Sequence, residues 1–420
     1  MQKFLLLFQI PELRKKILVV AGLLVVFRIF AAIPIPGVDV ERLSTFLTSN
    51  QLLGFFNIFS GGALSNLSIV MLGVGPYITA SIIMQLLTMI FPKLKEIYYE
   101  QGEAGRAKFN RLSHYLTVPL AALQAYGFLN LLISQQVLVP LSPFDTVRNI
   151  VLVTTGSVFL MWLGDLITEQ KIGNGTSLLI FSGIVGRLPS TIQGILLNYD
   201  SSLIPTYIAF LILSIIVIAG VVFINEGERK VPISYSKRVR GNKVYGGVSS
   251  YLPLKVNQAG VIPIIFAISL LLFPQFLAQI SALFSPDLSI RLNELVNRFL
   301  TNQIIYSGLY FVLVVLFTYF YTAVTFDPQE ISKNLQRSGG FVPGIRPGQP
   351  TGEFLGKIIN RTTLFGALFL GVIAILPNLT QILTGIQLLS LGGTALLIVV
   401  SVAIEMMRQI DSQLVLREYE

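Results

Sequence analysis

The sequence predicts an all-α polytopic membrane protein. Ten transmembrane helices would form two five-helix halves related by inverted pseudo-two-fold symmetry, and one further helix would be re-entrant. Of the 420 residues, 53% are hydrophobic and only 12% are charged, which excludes an ordinary soluble domain. Apolar stretches of about 20 residues, the length that crosses a bilayer, recur along the chain, and a motif in the second stretch returns in the seventh.

The apolar stretches give ten predicted spans. The first follows a basic cluster and resembles a secretory signal, but nine further spans favour a retained helix. The fifth is the least regular, because Arg187 and Pro189 interrupt it. The spans lie at residues 17–33, 69–91, 112–134, 150–168, 176–198, 204–225, 258–280, 303–325, 358–377 and 389–408.

A shorter apolar segment, residues 55–68, precedes the second span and is broken by Ser60, Gly61, Gly62 and Asn66. Segments of this length are more often re-entrant or interfacial than spanning. Irregular backbone at membrane depth requires surrounding protein or a water-filled cavity. The segment therefore predicts a re-entrant helix, and the alternative is an ordinary interfacial loop.

The second and seventh spans share a motif. Residues 73–80 read GVGPYITA and residues 260–267 read GVIPIIFA, so Gly, Val, Pro, Ile and Ala recur at the same offsets. Ten spans divide into five and five, and an odd number per half inverts the second half. The motif thus predicts an inverted repeat of residues 1–200 and 201–420, with the working site between the halves near the midplane. The alternative is coincidence between two apolar helices.

Lys and Arg are unevenly divided between the two faces of the membrane. With ten spans, 24 of them lie on the side that holds both termini, and 5 lie on the other side. The positive-inside rule predicts a multi-pass protein whose N- and C-termini are cytoplasmic. The absence of cysteine excludes a disulfide framework and fits a plasma (inner) membrane facing a reducing cytosol.

Two gaps on the predicted cytoplasmic side, residues 226–257 and 326–357, are longer than connectors need to be. The first alternates Val, Ile and Tyr with Gly turns, which predicts a protruding hairpin. Positive-inside topology alone accounts for basic loops. Their length and exposed aliphatic residues favour docking surfaces for an acidic partner, such as ribosomal RNA or an acidic protein face.

The chain lacks the motifs of an enzyme or of an ion-coupled transporter. It has no HExxH, GxSxG or Walker motif, and one histidine, His114, without cysteine leaves no metal site to assemble. Asp165 and Glu405 lie near the cytoplasmic ends of their spans. Arg28, inside the first span, is expected to snorkel to the exoplasmic surface. The sequence predicts no catalytic residue, no metal and no cofactor.

Branched aliphatic residues stand where the helices are expected to converge. A narrow ring of Ile and Val blocks ions and water by dewetting, without a charged filter. Such a ring can open for a polypeptide, because dispersion contacts are non-directional and no salt bridge has to break. The ring must be thin, since each backbone polar group in a dry constriction costs a few kcal/mol.

Several long motifs resemble the SecY family, the channel subunit of the general protein-translocation machinery, along nearly the whole chain. They are FNIFSGGALSNLSI, GPYITASIIMQLLT, QGEAGRAKFNR, WLGDLITEQKIGNGTSLLIFSGIV, LPLKVNQAGVIP, FVPGIRPG and GGTALLIVV. The resemblance implies an hourglass of two five-helix halves with inverted topology, hinged on one side.

The resemblance also implies a pore ring, a plug and a lateral gate. The gate to lipid would lie between spans two and three on one side and spans seven and eight on the other, with Thr79 and Phe273 at gate positions. The plug, residues 56–68, would close the exoplasmic funnel, with Ser60 and Asn66 facing a wet cavity. The ring would consist of Val74, Ile78, Ile180, Ile184, Ile265 and Ile398. The plug residues would be Phe56, Asn57, Phe59, Ser60, Gly61, Gly62, Leu64, Asn66 and Leu67.

Docking in the family uses the two long loops, and Arg346 matches well. The family often has two basic residues before Val244, whereas this chain has Asn242 and Lys243, so Lys243 alone matches. Arg238 and Arg240 are possible compensation. The implied partners are SecE and SecG subunits, the SecA motor ATPase, the ribosome, signal-sequence-bearing polypeptides and membrane lipid.

The predicted function is passive conduction of unfolded secretory polypeptides across the membrane, with apolar segments released sideways into lipid. A secondary transporter built on inverted repeats is the main alternative, and it would need a series of carboxylate or His side chains across the bilayer, which the predicted spans lack. A lipid-scrambling or insertase-like protein with a lipid-open groove would need neither a ring nor a plug.

Overall fold

A computed structural model describes residues 10–36, 57, 60–99, 101–134, 136–189, 193, 204–235, 238–240, 243–245, 249–281, 285–384 and 392–418. These residues are mostly helical, which confirms the predicted all-α membrane class. Two small β-sheets, of three and two strands, lie in the two long loops.

The helices of the first 200 residues begin at local signals in the sequence. Pro11 and Glu12 stand in the first turn of the first helix, where a missing N–H and a negative charge are both favoured. The side chain of Asn174 accepts a hydrogen bond from the Ser177 N–H and so caps the last helix of this region. The elements are α1 (Pro11–Ala32), a 3-10 helix (Ala63–Asn66), α2 (Gly75–Ile90), α3 (Pro92–Tyr99), α4 (Gly102–Ser134), α5 (Pro143–Glu169) and α6 (Gly175–Val185).

The rest of the chain alternates long apolar helices with the two loop regions. Its helices are α7 (Ile204–Glu226), α8 (Ile262–Ile280), α9 (Pro286–Thr301), α10 (Gln303–Thr325), α11 (Pro328–Arg337), α12 (Gln349–Thr384) and α13 (Gly392–Glu418). Its strands are β1 (Glu228–Tyr235), β2 (Arg238–Arg240), β3 (Lys243–Tyr245), β4 (Ser249–Lys255) and β5 (Gly340–Phe341).

Within the described residues, five helical segments are long and apolar enough to cross a membrane, so the chain is a multi-pass membrane protein. Helices α2 and α3 meet at 115° and together form a possible broken span. Each of the ten predicted spans overlaps a helix, but the number that cross the membrane stays a prediction. The five segments are Gly102–Ile133, Pro143–Glu169, Tyr207–Glu226, Gln303–Arg337 and Gln349–Gln381.

Two predicted spans differ from the observed helices. The second span was expected from residue 69, but α2 starts only at Gly75, because residues 69–74 form turns and Gly73 has a φ of 58°. The fifth was expected at residues 176–198, but α6 ends at Val185, followed by turn residues 186–187. With 11 residues, α6 is about 16 Å long. Residues 190–192 and 194–203 lie outside the described part.

The repeated motif produces the same turn in both places. Gly73 and Gly260 have φ values of 58° and 60°, a conformation that glycine adopts without strain. In each copy one Val follows the glycine and directly precedes the helix. Pro76 and Pro263 then occupy the second helical position, where a missing N–H costs nothing. Helices α2 and α8 therefore begin alike.

The hairpin predicted in residues 226–257 is confirmed. Strands β1 and β4 pair antiparallel from Glu228–Lys255 to Ser234–Ser249, and β2 pairs with β3 between them. Strand β5, from the second loop, adds to the other edge of β1, which the sequence did not predict. A separate buried cluster joins the hairpin to the second loop and the start of α12: Val231, Leu254, Val342, Leu355 and Ile359.

Candidate pore, plug and lateral gate

The six predicted ring residues all lie in one contiguous cluster of buried apolar side chains. Val74 directly precedes α2 and Ile78 lies in its first turn, while Ile180 and Ile184 stand four residues apart on α6 and so share one helix face. Ile265 lies on α8 and Ile398 on α13. The most exposed of the six, Ile78, is only 8% exposed. All six are thus buried members of the main apolar core, which runs from Leu13 in α1 to Ile410 in α13.

The described part of the plug segment is a compact turn organised by Asn57. The Asn57 carbonyl accepts from the Gly62 N–H at 2.8 Å, and its side chain exchanges two hydrogen bonds with Ser65. Gly61 and Gly62 have φ values of 71° and 83°, which only glycine adopts readily. Leu64 and Leu67 belong to the same buried cluster as the ring residues. Phe56 and Phe59 lie outside the described residues.

A 3-10 turn, Ala63–Asn66, directly follows the two positive-φ glycines, and Asn57 before them is helical. One expectation about this segment is corrected. Ser60 does not face a wet cavity: it is buried, and its hydroxyl donates to the Asn57 carbonyl and accepts from the Leu64 N–H. Asn66, in contrast, is exposed.

The far end of the segment is tied to the chain that follows α1. The Ile35 N–H donates to the Leu67 carbonyl at 2.8 Å, and the Ile69 N–H donates to the Ile33 carbonyl at 3.0 Å. These two bonds flank an isolated bridge between Pro34 and Ser68. The segment is thereby held against the first helix at the end that leads into α2.

Arg28 does not snorkel as expected. Its guanidinium donates to the Gly61 carbonyl in the plug segment and to two carbonyls in the last turn of α6, those of Ser182 and Gly183. Arg187, just after α6, donates to the Ser65 hydroxyl. A charge inside an apolar span by default marks function, and Arg28 carries that signal in the sequence, although its partners do not follow from it.

The predicted gate helices are in contact. Helix α8 packs against both α2 and α4, and α10 packs against α8. Thr79 and Phe273 are both half-buried. The Thr79 hydroxyl donates to the Gly75 carbonyl one turn back, and Phe273 directly precedes Pro274, which lies inside α8. Proline removes a backbone hydrogen bond, so α8 has a weak point next to Phe273.

The predicted docking residues occupy the loop regions. Arg346 is exposed, whereas the adjacent Ile345 packs on the buried cluster of the loops. The Arg346 carbonyl accepts from the Thr351 hydroxyl at 2.8 Å, which fixes the turn. Arg240 is the register partner of Lys243 in the β2–β3 ladder, and Arg238 stands at the other end of β2.

A polar cavity that sequence reasoning missed lies beside the sheet, with a volume of about 310 Å³. Asn225 donates to Ser401 at 2.7 Å and accepts from Asn257 at 2.8 Å. Lys255, in β4, also lines the cavity, and burial followed by the nearby Arg408 lowers its pKa, against the attraction of Glu405, Glu226 and Glu228. Its lining comes from helices and loops far apart in sequence, so no local motif marks it.

Among the described residues, no group of three or more His, Asp or Glu side chains could hold a metal ion. His114 contacts Asp165 at 3.3 Å instead.

Taken together, the fold and this site define a protein-conducting membrane channel. The chain belongs to the SecY family, whose sequence profile matches residues 68–407. It is a channel subunit of a protein translocase and not itself an enzyme. The family assignment does not favour the secondary-transporter alternative.

Curated relatives match almost end to end. The protein translocase subunit SecY of Mycobacterium tuberculosis (strain H37Rv) is 42% identical over 429 residues, which cover 97% of this chain and 96% of that protein. SecY of Corynebacterium glutamicum is 44% identical over 434 residues, 98% of each chain.

Two solved structures share the fold. A structure described as a protein-conducting channel superimposes with a TM-score of 0.65 at 20% identity, covering 93% of this chain and 90% of that one. Sec61 in the canine ribosome–channel complex from the endoplasmic reticulum gives a TM-score of 0.62 at the same identity and coverage.

Proposed function

We propose that the six aliphatic residues form the pore ring of the channel and that residues 56–68 form its plug. The observation that carries the proposal is that all six aliphatic residues are buried in the main apolar core, to which Leu64 and Leu67 of the plug segment also belong. A ring closed only by dispersion contacts excludes ions while the channel is closed. The same contacts can separate for a polypeptide with any side chains. Displacement of the plug would open the exoplasmic side.

The lateral gate of this proposal lies between α2 and α4 on one side and α8 and α10 on the other. These helices would come from the two halves of the chain, residues 1–200 and 201–420. Contact of α8 with α2 and α4 supports a closed gate in this structure. An apolar segment bound there would part the helices, and a segment of about 20 apolar residues would partition into lipid.

The energy for translocation comes from outside the chain. The two loop regions, with Arg238, Arg240, Lys243 and Arg346, dock the SecA motor or the ribosome, and SecE and SecG complete the channel. In this proposal the sheet and both termini lie in the cytoplasm, and the chain lies in the plasma (inner) membrane. The excess of Lys and Arg on that side supports the orientation.

The test is reconstitution into lipid vesicles with SecE and SecA. A secretory precursor should become protease-protected in the presence of ATP, and a matched precursor with a charge inside its signal sequence should stay accessible. An inserted stretch of about 20 leucines should leave the precursor embedded in lipid, while one of about 10 should not. Uptake of a small solute, with no protection of the precursor, would contradict the proposal.

A further inference from the structure

Two arginines contact the plug segment and have no part in the ring, the gate or the docking loops. Both guanidinium groups reach the plug from outside it: Arg28 from α1 and Arg187 from the turn after α6. A charged side chain in an apolar region is costly unless it is fully hydrogen-bonded. The question is what these two charges accomplish at this position.

Arg28 joins three elements at one point. Its Nη1 donates to the Gly61 carbonyl at 2.9 Å, while Nη2 donates to the Gly183 carbonyl at 2.9 Å and to the Ser182 carbonyl. Ser182 and Gly183 lie in the last turn of α6, where the helix dipole places partial negative charge. The Arg28 guanidinium therefore donates to carbonyls at the C-terminal end of α6 and to the Gly61 carbonyl of the plug at the same time.

Arg187 holds the other side of the plug turn. Its Nη2 donates to the Ser65 hydroxyl, which also accepts from the Asn57 side chain at 2.6 Å. Its aliphatic stem covers Gly62, where an added Cβ would lie 3.0 Å from the Arg187 Cδ. The two arginines thus bracket the turn at Gly61–Gly62 and at Ser65.

Glycines allow this close approach. A Cβ on Gly183 would overlap the Cα of Gly61, and a Cβ on Gly186 would overlap the Arg28 guanidinium. The plug consequently rests on α6 backbone to backbone, and Phe27 also packs closely against Gly61. Any side chain at position 183 would push the plug away from both arginines.

We propose that Arg28 and Arg187 form a plug latch, two positioning residues that hold the plug on α1 and α6 in the closed channel; the inference rests on the proposed role of residues 56–68 as plug. In the closed state the plug supplies acceptors to both charges. When the plug leaves, those acceptors leave with it, and water that enters the funnel replaces them. The hydrogen bonds of the latch stabilise the closed channel while water is absent. Once water enters the funnel it replaces these bonds, so the latch does not oppose opening.

The test uses one cysteine reporter in a chain that has none. Ser60→Cys exchanges one atom in a buried position next to Gly61. Its labelling rate with a membrane-impermeant maleimide, added on the face opposite the termini, measures how often the plug is displaced. The test variants on this background are Arg28→Met, Arg187→Met and Gly183→Ala. The matched controls are Gly22→Ala, where an added Cβ meets nothing within 4 Å, and Arg148→Met, which removes an arginine ion-paired to Asp145 at 3.0 Å.

Each test variant should raise the resting labelling rate by about tenfold, the population change that accompanies loss of one charge-assisted hydrogen bond. The two controls should match the parent. If Arg28→Met does not accumulate in the membrane, Gly183→Ala tests the same docking with both charges retained. Test variants that label no faster than Gly22→Ala would overturn the latch.

An experiment with a stalled secretory precursor distinguishes failure of the latch proposal from failure of the plug assignment. In the parent reporter, the stalled chain should raise Ser60→Cys labelling, because the plug has left its seat. If it does so while the latch variants behave like the controls, the latch is wrong and the plug stands. If the stalled chain leaves labelling unchanged in all variants, the plug assignment is wrong and the latch falls with it.

Discussion

Ile180 and Ile398 are each 1% exposed and come from helices on opposite sides of the chain's midpoint. Replacing either with Asn puts an amide into a dry aliphatic constriction, where it attracts water. We expect Ile180→Asn and Ile398→Asn to raise the resting ion conductance of the reconstituted channel several-fold and to admit precursors with weakened signal sequences. Single-channel recording and a signal-sequence export assay measure these effects.

The control is Ile304→Asn, the same exchange at a residue that is 76% exposed at the start of α10. It should change neither the conductance nor the stringency. Unchanged conductance in both ring variants would show that these residues do not close the pore.

At this scale, the family resemblance selected six aliphatic residues that are all buried, but it did not predict the contacts of Arg28. Their role as a ring stays a prediction. Arg28 depends on carbonyls 33 and 155 positions away, at Gly61 and Gly183. Every residue has a backbone carbonyl, so the residue types do not show which carbonyls will accept from Arg28. The apolar neighbours of Arg28 therefore favoured the expectation that it snorkels.

The two loop regions pack together as one unit, because one buried cluster joins the hairpin to the second loop and α12. Ile345 packs toward that cluster while Arg346 stays exposed on a fixed turn. We expect Arg346→Glu to weaken binding of the motor or ribosome about tenfold, with the loss shrinking as salt rises, as for a charged contact at an interface. Sedimentation with vesicles at two salt concentrations measures it.

Lys333→Glu makes the same charge change at an exposed residue of the neighbouring α11 and should leave binding near the parent value. Resting conductance should be unaffected in both variants, because the docking region lies apart from the ring cluster. Equal losses in both variants would indicate a general charge effect and would contradict a docking role for Arg346.

Among the elements, the long helices and the hairpin follow from the sequence because their signals are local: apolar length, and alternation with glycine turns. Two features do not. Strand β5 pairs with β1 across about 100 residues, between Phe341 and Ser234, and no local pattern encodes that partner. The positive φ values of Gly61 and Gly62 are likewise permitted but not required by a broken apolar segment.

For the molecule as a whole, two independent features support a channel that opens between two halves. Helices α2 and α8 begin with the same Gly-Val-x-Pro turn, as an inverted repeat predicts, and they pack against each other. The six proposed ring residues lie at α2 and α6 in one proposed half and on α8 and α13 in the other. Parting the halves would therefore open the ring and the gate in one movement.

The central claim is that a polypeptide passes through the ring, and one cross-linking measurement tests it most directly. Ile180→Cys gives the chain its only thiol, and a secretory precursor with one cysteine is stalled midway and oxidised. A disulfide that requires both the signal sequence and the motor is the predicted result. If export proceeds but no bond forms at Ile180→Cys, or at Ile78→Cys, Ile265→Cys or Ile398→Cys, the polypeptide does not pass through the ring.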